Sequence, residues 1–288
     1  MWFTKYIGSN YLYIIWFVIY FLIAWYMFGA NLNSLIFVSI IYSISITVAL
    51  SPIGEVILRA VENCREPLTE REKSYLLPIF EEVYDSAKEI NPSLNSNIKI
   101  YIMDAMFVNA FAIGRQTIAV TKGAIETFSE DELKGILAHE LGHMTYGHTK
   151  ALLLSVIGNF FFTVIVWIFR LMLYVTQLIS TIVAQFNIIG LGFMFVTFIA
   201  KLLVEISVLI FINISQVILA LNSRMNEEIA DKFAHEMGYG RELISGLYLL
   251  QKITMNTKIR LVDRVKASHP HLGNRIAKLE RLEDEATG

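Results

Sequence analysis

The chain has 288 residues, of which 55% are hydrophobic and 17% charged, and its mean hydropathy is +0.52. That is too apolar for an ordinary soluble domain and too charged for a pure membrane bundle, so a mixture of membrane spans and a soluble part is expected. A formal net charge of −2 removes any electrostatic reason to expect nucleic acid as a partner, and the single cysteine, Cys64, cannot form an intramolecular disulfide, so nothing calls for an oxidising compartment.

No charged residue lies between Lys5 and Glu55. A helix needs about 20 apolar residues to cross a bilayer, so this stretch holds two spans, over 11–28 and 35–50, with a break at Gly29-Ala30-Asn31-Leu32-Asn33-Ser34. A cleaved signal peptide is not expected, because the basic start is minimal and a second apolar run follows at once. Residues 55–150 read as soluble. Thr69-Glu70-Arg71-Glu72 is a capping box opening a helix, which must kink or restart at Pro78 and end at Asn91-Pro92. Strand-like text follows at 98–102, 108–113 and 117–121, the last two forming a hairpin about Gly114-Arg115. Ser129-Glu130-Asp131-Glu132 is a second capping box, and the helix it starts carries Leu133, Ile136, Leu137 and Leu141 on one side. From 151 to 223 the only charges are Arg170, Lys201 and Glu205. That stretch fits two further spans, over 152–173 and 190–213. Lys201 and Glu205, four apart, read as a pair near a span end rather than as an intramembrane functional site. Residues 224–288 are charged and helical in pattern. Of the 24 Lys and Arg residues, 22 fall at Lys5, in 55–150 and in 222–288, and the loop at 29–34 has none. The positive-inside rule then puts both termini and both soluble segments in the cytoplasm.

The chemistry begins at His139-Glu140-Leu141-Gly142-His143, the HExxH pattern. Residues four apart share a helix face, so both imidazoles can reach one zinc ion. Glu140 points toward the water on that zinc and can take its proton, which makes hydrolysis of a peptide bond the natural reaction. A catalytic zinc needs a third protein ligand and an open position. The best donor is downstream, in Ser223-Arg224-Met225-Asn226-Glu227-Glu228-Ile229-Ala230-Asp231. Glu227 and Asp231 share a face, so Glu227 can bind the metal while Asp231 accepts a hydrogen bond from a ligand histidine. The competing reading of a solvated acidic face is countered by topology, since two intervening spans return the chain to the same membrane side. His148, five residues past His143, lies off the ligand face and reads as structural.

In these motifs the chain resembles the HtpX-type membrane zinc metallopeptidases, kin of the CAAX prenyl endopeptidases. The matching text is Asn109-Ala110-Phe111-Ala112 with Gly114, Val120-Thr121-Lys122-Gly123, the HELGH, Ser223-Arg224 with Glu227, Ala230 and Asp231, and His269-Pro270 with Arg275-Ile276. Glu228 departs from the pattern, standing where an aromatic residue is often found. The resemblance implies one zinc on His139, His143 and Glu227, and cleavage of misfolded or surplus membrane proteins as quality control. It also places the Asn109–Ala112 strand at the substrate cleft, where an extended peptide could add to the edge; an ordinary buried strand is the competing reading. His269 could donate to the oxyanion of the tetrahedral intermediate or could simply start a helix before Pro270.

The expected architecture is α+β: about four transmembrane helices and a cytoplasmic zincin-like domain with a small β-sheet. Two spans fill 1–54, a catalytic segment 55–150, two more spans 151–222, and a helical segment carrying the third ligand 223–288. The expected partners are the lipid bilayer and membrane-protein or unfolded polypeptide substrates, with no nucleic acid. Two rivals compete, a CAAX-type protease acting on prenylated peptides and a catalytically inactive membrane chaperone or adaptor.

Overall fold

A computed structural model describes residues 11–156, 160–256 and 272–287. The chain divides into two units, one of 12–46 and 156–221, the other of 1–11, 47–155 and 222–288.

The first unit is helical. Helices α1 (Tyr11–Met27) and α2 (Leu32–Leu50) are joined by a turn in which Gly29 and Ala30 both take positive φ. Asn31 caps α2, its Oδ1 accepting from the Ser34 N–H at 2.9 Å. Apolar Ala24, Val38 and Tyr42 form a small core with Val166 and Phe211 packed against it, and Trp16 stacks on Phe211 with centroids 4.8 Å apart. The other helices are numbered in chain order: α8 (Phe160–Val183) and α9 (Ile188–Glu236). Among the described residues, three helical stretches are long and apolar enough to cross a membrane, Leu32–Leu50, Thr163–Val183 and Ile188–Ile214, and α1 carries a shorter apolar run, Ile14–Met27. The third expected span continues to Val183, past the expected end at 173, and its expected beginning falls in α7 (His148–Val156) and in residues outside those described. The expected Lys201–Glu205 pair does not form. Glu205 instead receives a forked ion pair from Arg170 on α8, at 2.9 and 2.6 Å, and the Lys201 ammonium lies over the Tyr174 ring at 4.9 Å. A planar guanidinium matches both carboxylate oxygens, which a lysine cannot do.

The second unit carries a four-stranded mixed sheet in the order β1 (Cys64–Arg65), β2 (Lys99–Met103), β4 (Thr117–Thr121), β3 (Ala110–Ile113). The hairpin of β3 and β4 is antiparallel, with Ile113 opposite Thr117. β2 runs parallel to β4. The two-residue β1 has no strand pattern of its own. It is held by the Arg65 guanidinium, which bonds Glu72 at 2.7 Å and Asp104 at 2.8 Å. Helix α3 (Pro52–Val61) precedes it, and α4 (Glu70–Ile90) follows behind the Thr69–Glu72 capping box. Helix α4 passes Pro78 as one helix, so of the two expected courses, a kink or a restart, the restart does not occur. Leu76, Ile79, Phe80 and Val83 are buried on either side of the proline, and each such burial contributes about 1.5–3 kcal/mol, comparable with the roughly 3 kcal/mol a helical proline costs.

Short α5 (Lys122–Thr127) leads to α6 (Glu130–Thr145), whose Ser129–Glu132 capping box forms in full. Leu133, Leu137 and Leu141 of α6 are fully buried, together with Ile102 and Ile118 of the sheet. Leu243 and Leu247 of α10 (Gly240–Asn256) and Leu279 of α11 (Leu272–Thr287) complete this core. One close approach matters for the site. A Cβ on Gly142 would come within 2.9 Å of Ala230 Cα, so glycine lets α6 lie directly against the last part of α9.

Candidate metal centre

Helix α6 brings His139 and His143 onto one face, with Nε2 atoms 3.1 Å apart and rings nearly perpendicular at 83°. Glu227, projecting from α9, completes the group: its Oε2 is 3.4 Å from His139 Nε2 and its Oε1 3.3 Å from His143 Nε2. All three side chains are buried, and among the described residues they are the group whose donor atoms could hold one metal ion. The spacing suits zinc. Bonds of about 2.0–2.1 Å in a tetrahedron put neighbouring donors about 3.3 Å apart, close to what these three show. Charge points the same way. With their carboxyls ionised, buried Glu140, Glu227 and Asp231 oppose the single positive charge of buried Arg275, and a dication would offset the excess.

The far nitrogens of both histidines are engaged. His139 Nδ1 lies 2.8 Å from Asp231 Oδ1, so the Nδ1–H donates there and leaves the Nε2 lone pair facing the group. His143 Nδ1 lies 2.9 Å from His148 Nδ1, the same arrangement with a second imidazole as acceptor. Burial, reinforced by nearby His143, pushes the His148 pKa down to about 2, so it stays neutral and able to accept. Thus the histidine expected to be structural supports a candidate ligand. Burial works to raise the Asp231 pKa, but Arg275 and His139 outweigh it and bring it down to about 2.

Arg275 is the residue that sequence reasoning left without a role. From α11 its guanidinium forks onto Asp231 at 2.8 and 2.6 Å and reaches Glu227 Oε2 at 2.7 Å. Burial opposes its charge, yet the two carboxylates raise its pKa further. A usable signal existed, since Arg275 shares a helix face with apolar Leu272 and Leu279. Glu228 takes the other direction, exposed and paired with Lys278 at 2.6 Å.

Glu140 is buried beside His139, where a narrow cleft is lined by Asn109, Ala110, His139, Glu140 and Arg275. Asn109 and Ala110 are therefore brought to the centre. Phe111 and Ala112 continue the same strand, which pairs only with β4 among the described strands and forms one edge of the sheet. His269 lies outside the described residues.

Comparison with known proteins agrees with this geometry. Residues 71–283 match Peptidase family M48. The chain belongs to peptidase family M48. As an M48 member it is a metallopeptidase, in a family of zinc enzymes. Among its relatives, a "Protease HtpX homolog" of Methylacidiphilum infernorum is 26% identical over 76% of this chain and 75% of its own length. "Protease HtpX" of Hahella chejuensis is 28% identical over 68% and 70%, and that of Alcanivorax borkumensis 26% over 88% and 86%. The crystal structure of S. mikatae Ste24p aligns with 91% of this chain and 61% of its own, with a TM-score of 0.48 and 20% identity. These relatives are named as HtpX proteases, and the apolar helices of this chain make it an integral membrane protein.

Proposed function

We propose that this M48 peptidase is a zinc-dependent endopeptidase that removes misfolded or surplus membrane proteins, cutting them on the cytoplasmic side of the membrane. The observation that carries the reading is the convergence of His139, His143 and Glu227 beside buried Glu140. Zinc held there would supply a Lewis acid that polarises the scissile carbonyl and acidifies a water. Glu140 takes the proton of the attacking water on its carboxylate and returns it to the leaving amide nitrogen. Asp231 and His148 hold the ligand imidazoles in the right tautomer, and Arg275 holds Glu227 and Asp231 in place. His269 is assigned the donor to the developing oxyanion.

Selection follows from β3. An extended polypeptide pairing with Asn109–Ala112 is bound through its main chain, which suits chains that have lost their fold and asks little of their sequence. α1 is assigned as the fourth span: its 17 described residues carry no charge, and an even count keeps both soluble segments on one side.

The test uses purified, zinc-loaded protein in detergent, with one membrane protein offered in native form and as a destabilised variant. The destabilised form should be cut about tenfold faster, since cleavage follows the unfolded population, and a zinc chelator should stop both. Equal rates on the two forms would refute the quality-control reading.

A further inference from the structure

Away from the metal, Glu55 is a buried carboxylate that the catalytic steps leave unused. It sits in the first turns of α3, right after the Ser51 cap and Pro52. Its two oxygens face the turn between β3 and β4. Oε1 accepts from the Arg115 N–H at 2.5 Å, while Oε2 accepts from the Gln116 N–H at 3.1 Å and the Thr117 hydroxyl at 3.3 Å. One helical turn on, Arg59 donates to Thr117 Oγ1 at 2.8 Å and lies over the Tyr101 ring. From α7, Thr149, next to His148, donates to the Gly114 carbonyl at 2.5 Å. Gly114 has φ +60°, and a Cβ there would collide with the Glu55 carboxyl. The turn is thus gripped from α3 and from α7. It closes the strand whose other end, Asn109 and Ala110, lines the cleft beside His139 and Glu140.

We infer that Glu55 is a positioning residue for substrate binding: by holding the Gly114–Gln116 turn it fixes the edge of β3 on which an extended polypeptide pairs. The inference deepens the proposed function and rests on its assignment of β3 as the substrate strand. A hairpin is a poor template when its turn can move, because each main-chain bond to a peptide needs donor and acceptor in register. Here each carboxylate oxygen serves one of two consecutive amides, and an amide side chain would offer a single oxygen for both. Loss of Glu55 should therefore weaken peptide binding along β3 and leave the chemistry at the metal intact.

The experiment compares wild type with Glu55→Met and Glu55→Gln, all zinc-loaded, on a quenched-fluorescence peptide of about ten residues. Glu55→Met keeps side-chain volume and removes both acceptors; Glu55→Gln keeps one. KM should rise about tenfold in Glu55→Met and by a smaller factor in Glu55→Gln, with kcat within about twofold of wild type and zinc content unchanged. A purely packing role predicts wild-type KM in Glu55→Met, and that result would overturn the inference, as would a fall in kcat with KM unchanged. Should Glu55→Met fail to fold, Glu55→Gln decides alone: wild-type KM overturns, a raised KM upholds. A binding arm separates this inference from the reading beneath it. In a Glu140→Gln background, the Kd of the uncleaved peptide should weaken about tenfold on adding Glu55→Met, and an unchanged Kd counts against Glu55. Absence of cleavage by wild type would strike the proposed function and leave the binding arm to judge Glu55.

Discussion

Glu227 and Glu228 are neighbours in the chain, yet one faces the two histidines and the other an exposed lysine. Adjacent helical residues point about 100° apart, so only one can meet the metal. Glu227→Ala should lose zinc and activity together, whereas Glu228→Ala should keep both, measured as zinc stoichiometry after dialysis and as peptide cleavage. Asp231→Asn should fall between, with zinc affinity down about 10–100-fold as His139 loses its orienting acceptor. Zinc lost from Glu228→Ala and kept by Glu227→Ala would move the assignment by one residue. Much of this was readable from spacing alone: His143 lies four positions after His139 and Asp231 four after Glu227, and side chains four apart share a face. Arg275 was not readable as a partner of both carboxylates, because its contacts join α11 to α9 across 44 residues of chain, and no local period encodes such a meeting.

At the level of elements, capping chemistry was the most dependable guide. Both boxes, at Thr69 and Ser129, form where the residue pattern puts them, because a cap is a local bargain between one side chain and the first free amides. The hairpin of β3 and β4 was readable for the same reason. β1 was not: two residues carry no alternation, and the strand exists through Arg65 and its pairing with β2. The unbroken course of α4 through Pro78 likewise reflects tertiary burial prevailing over a local preference. Helix contact also yields a prediction. Gly142→Val should push α6 away from Ala230 and, through it, shift Glu227 one turn back on α9. Overpacking of this kind costs about 1–3 kcal/mol, visible as a lowered midpoint in thermal unfolding, with weakened zinc affinity beside it. Gly192, also on α9 but where an added Cβ would meet open space, is the control, and Gly192→Ala should leave both unchanged. An equal response at the two positions would remove the close approach as the cause.

For the whole molecule, composition announced the division into apolar helices and a charged part, but span edges were beyond it, since a run of apolar residues does not mark where one helix stops and the next begins. The expected third span at 152–173 runs on to Val183 for that reason. Orientation rests on charge asymmetry and has its own test. In a Cys64→Ser background, a cysteine at Asn31 should react with an impermeant reagent in intact cells, and one at Gly288 only after lysis; labelling of both in intact cells would contradict the proposed topology. The central claim, that Glu140 drives peptide hydrolysis beside a zinc it does not bind, is tested most directly by one paired measurement on Glu140→Gln: zinc per chain and cleavage rate of an unfolded polypeptide. The variant should hold about one zinc per chain, because both histidines and Glu227 remain, and should lose cleavage by a factor of about 10² or more. Cleavage near the wild-type rate with zinc bound would contradict the account.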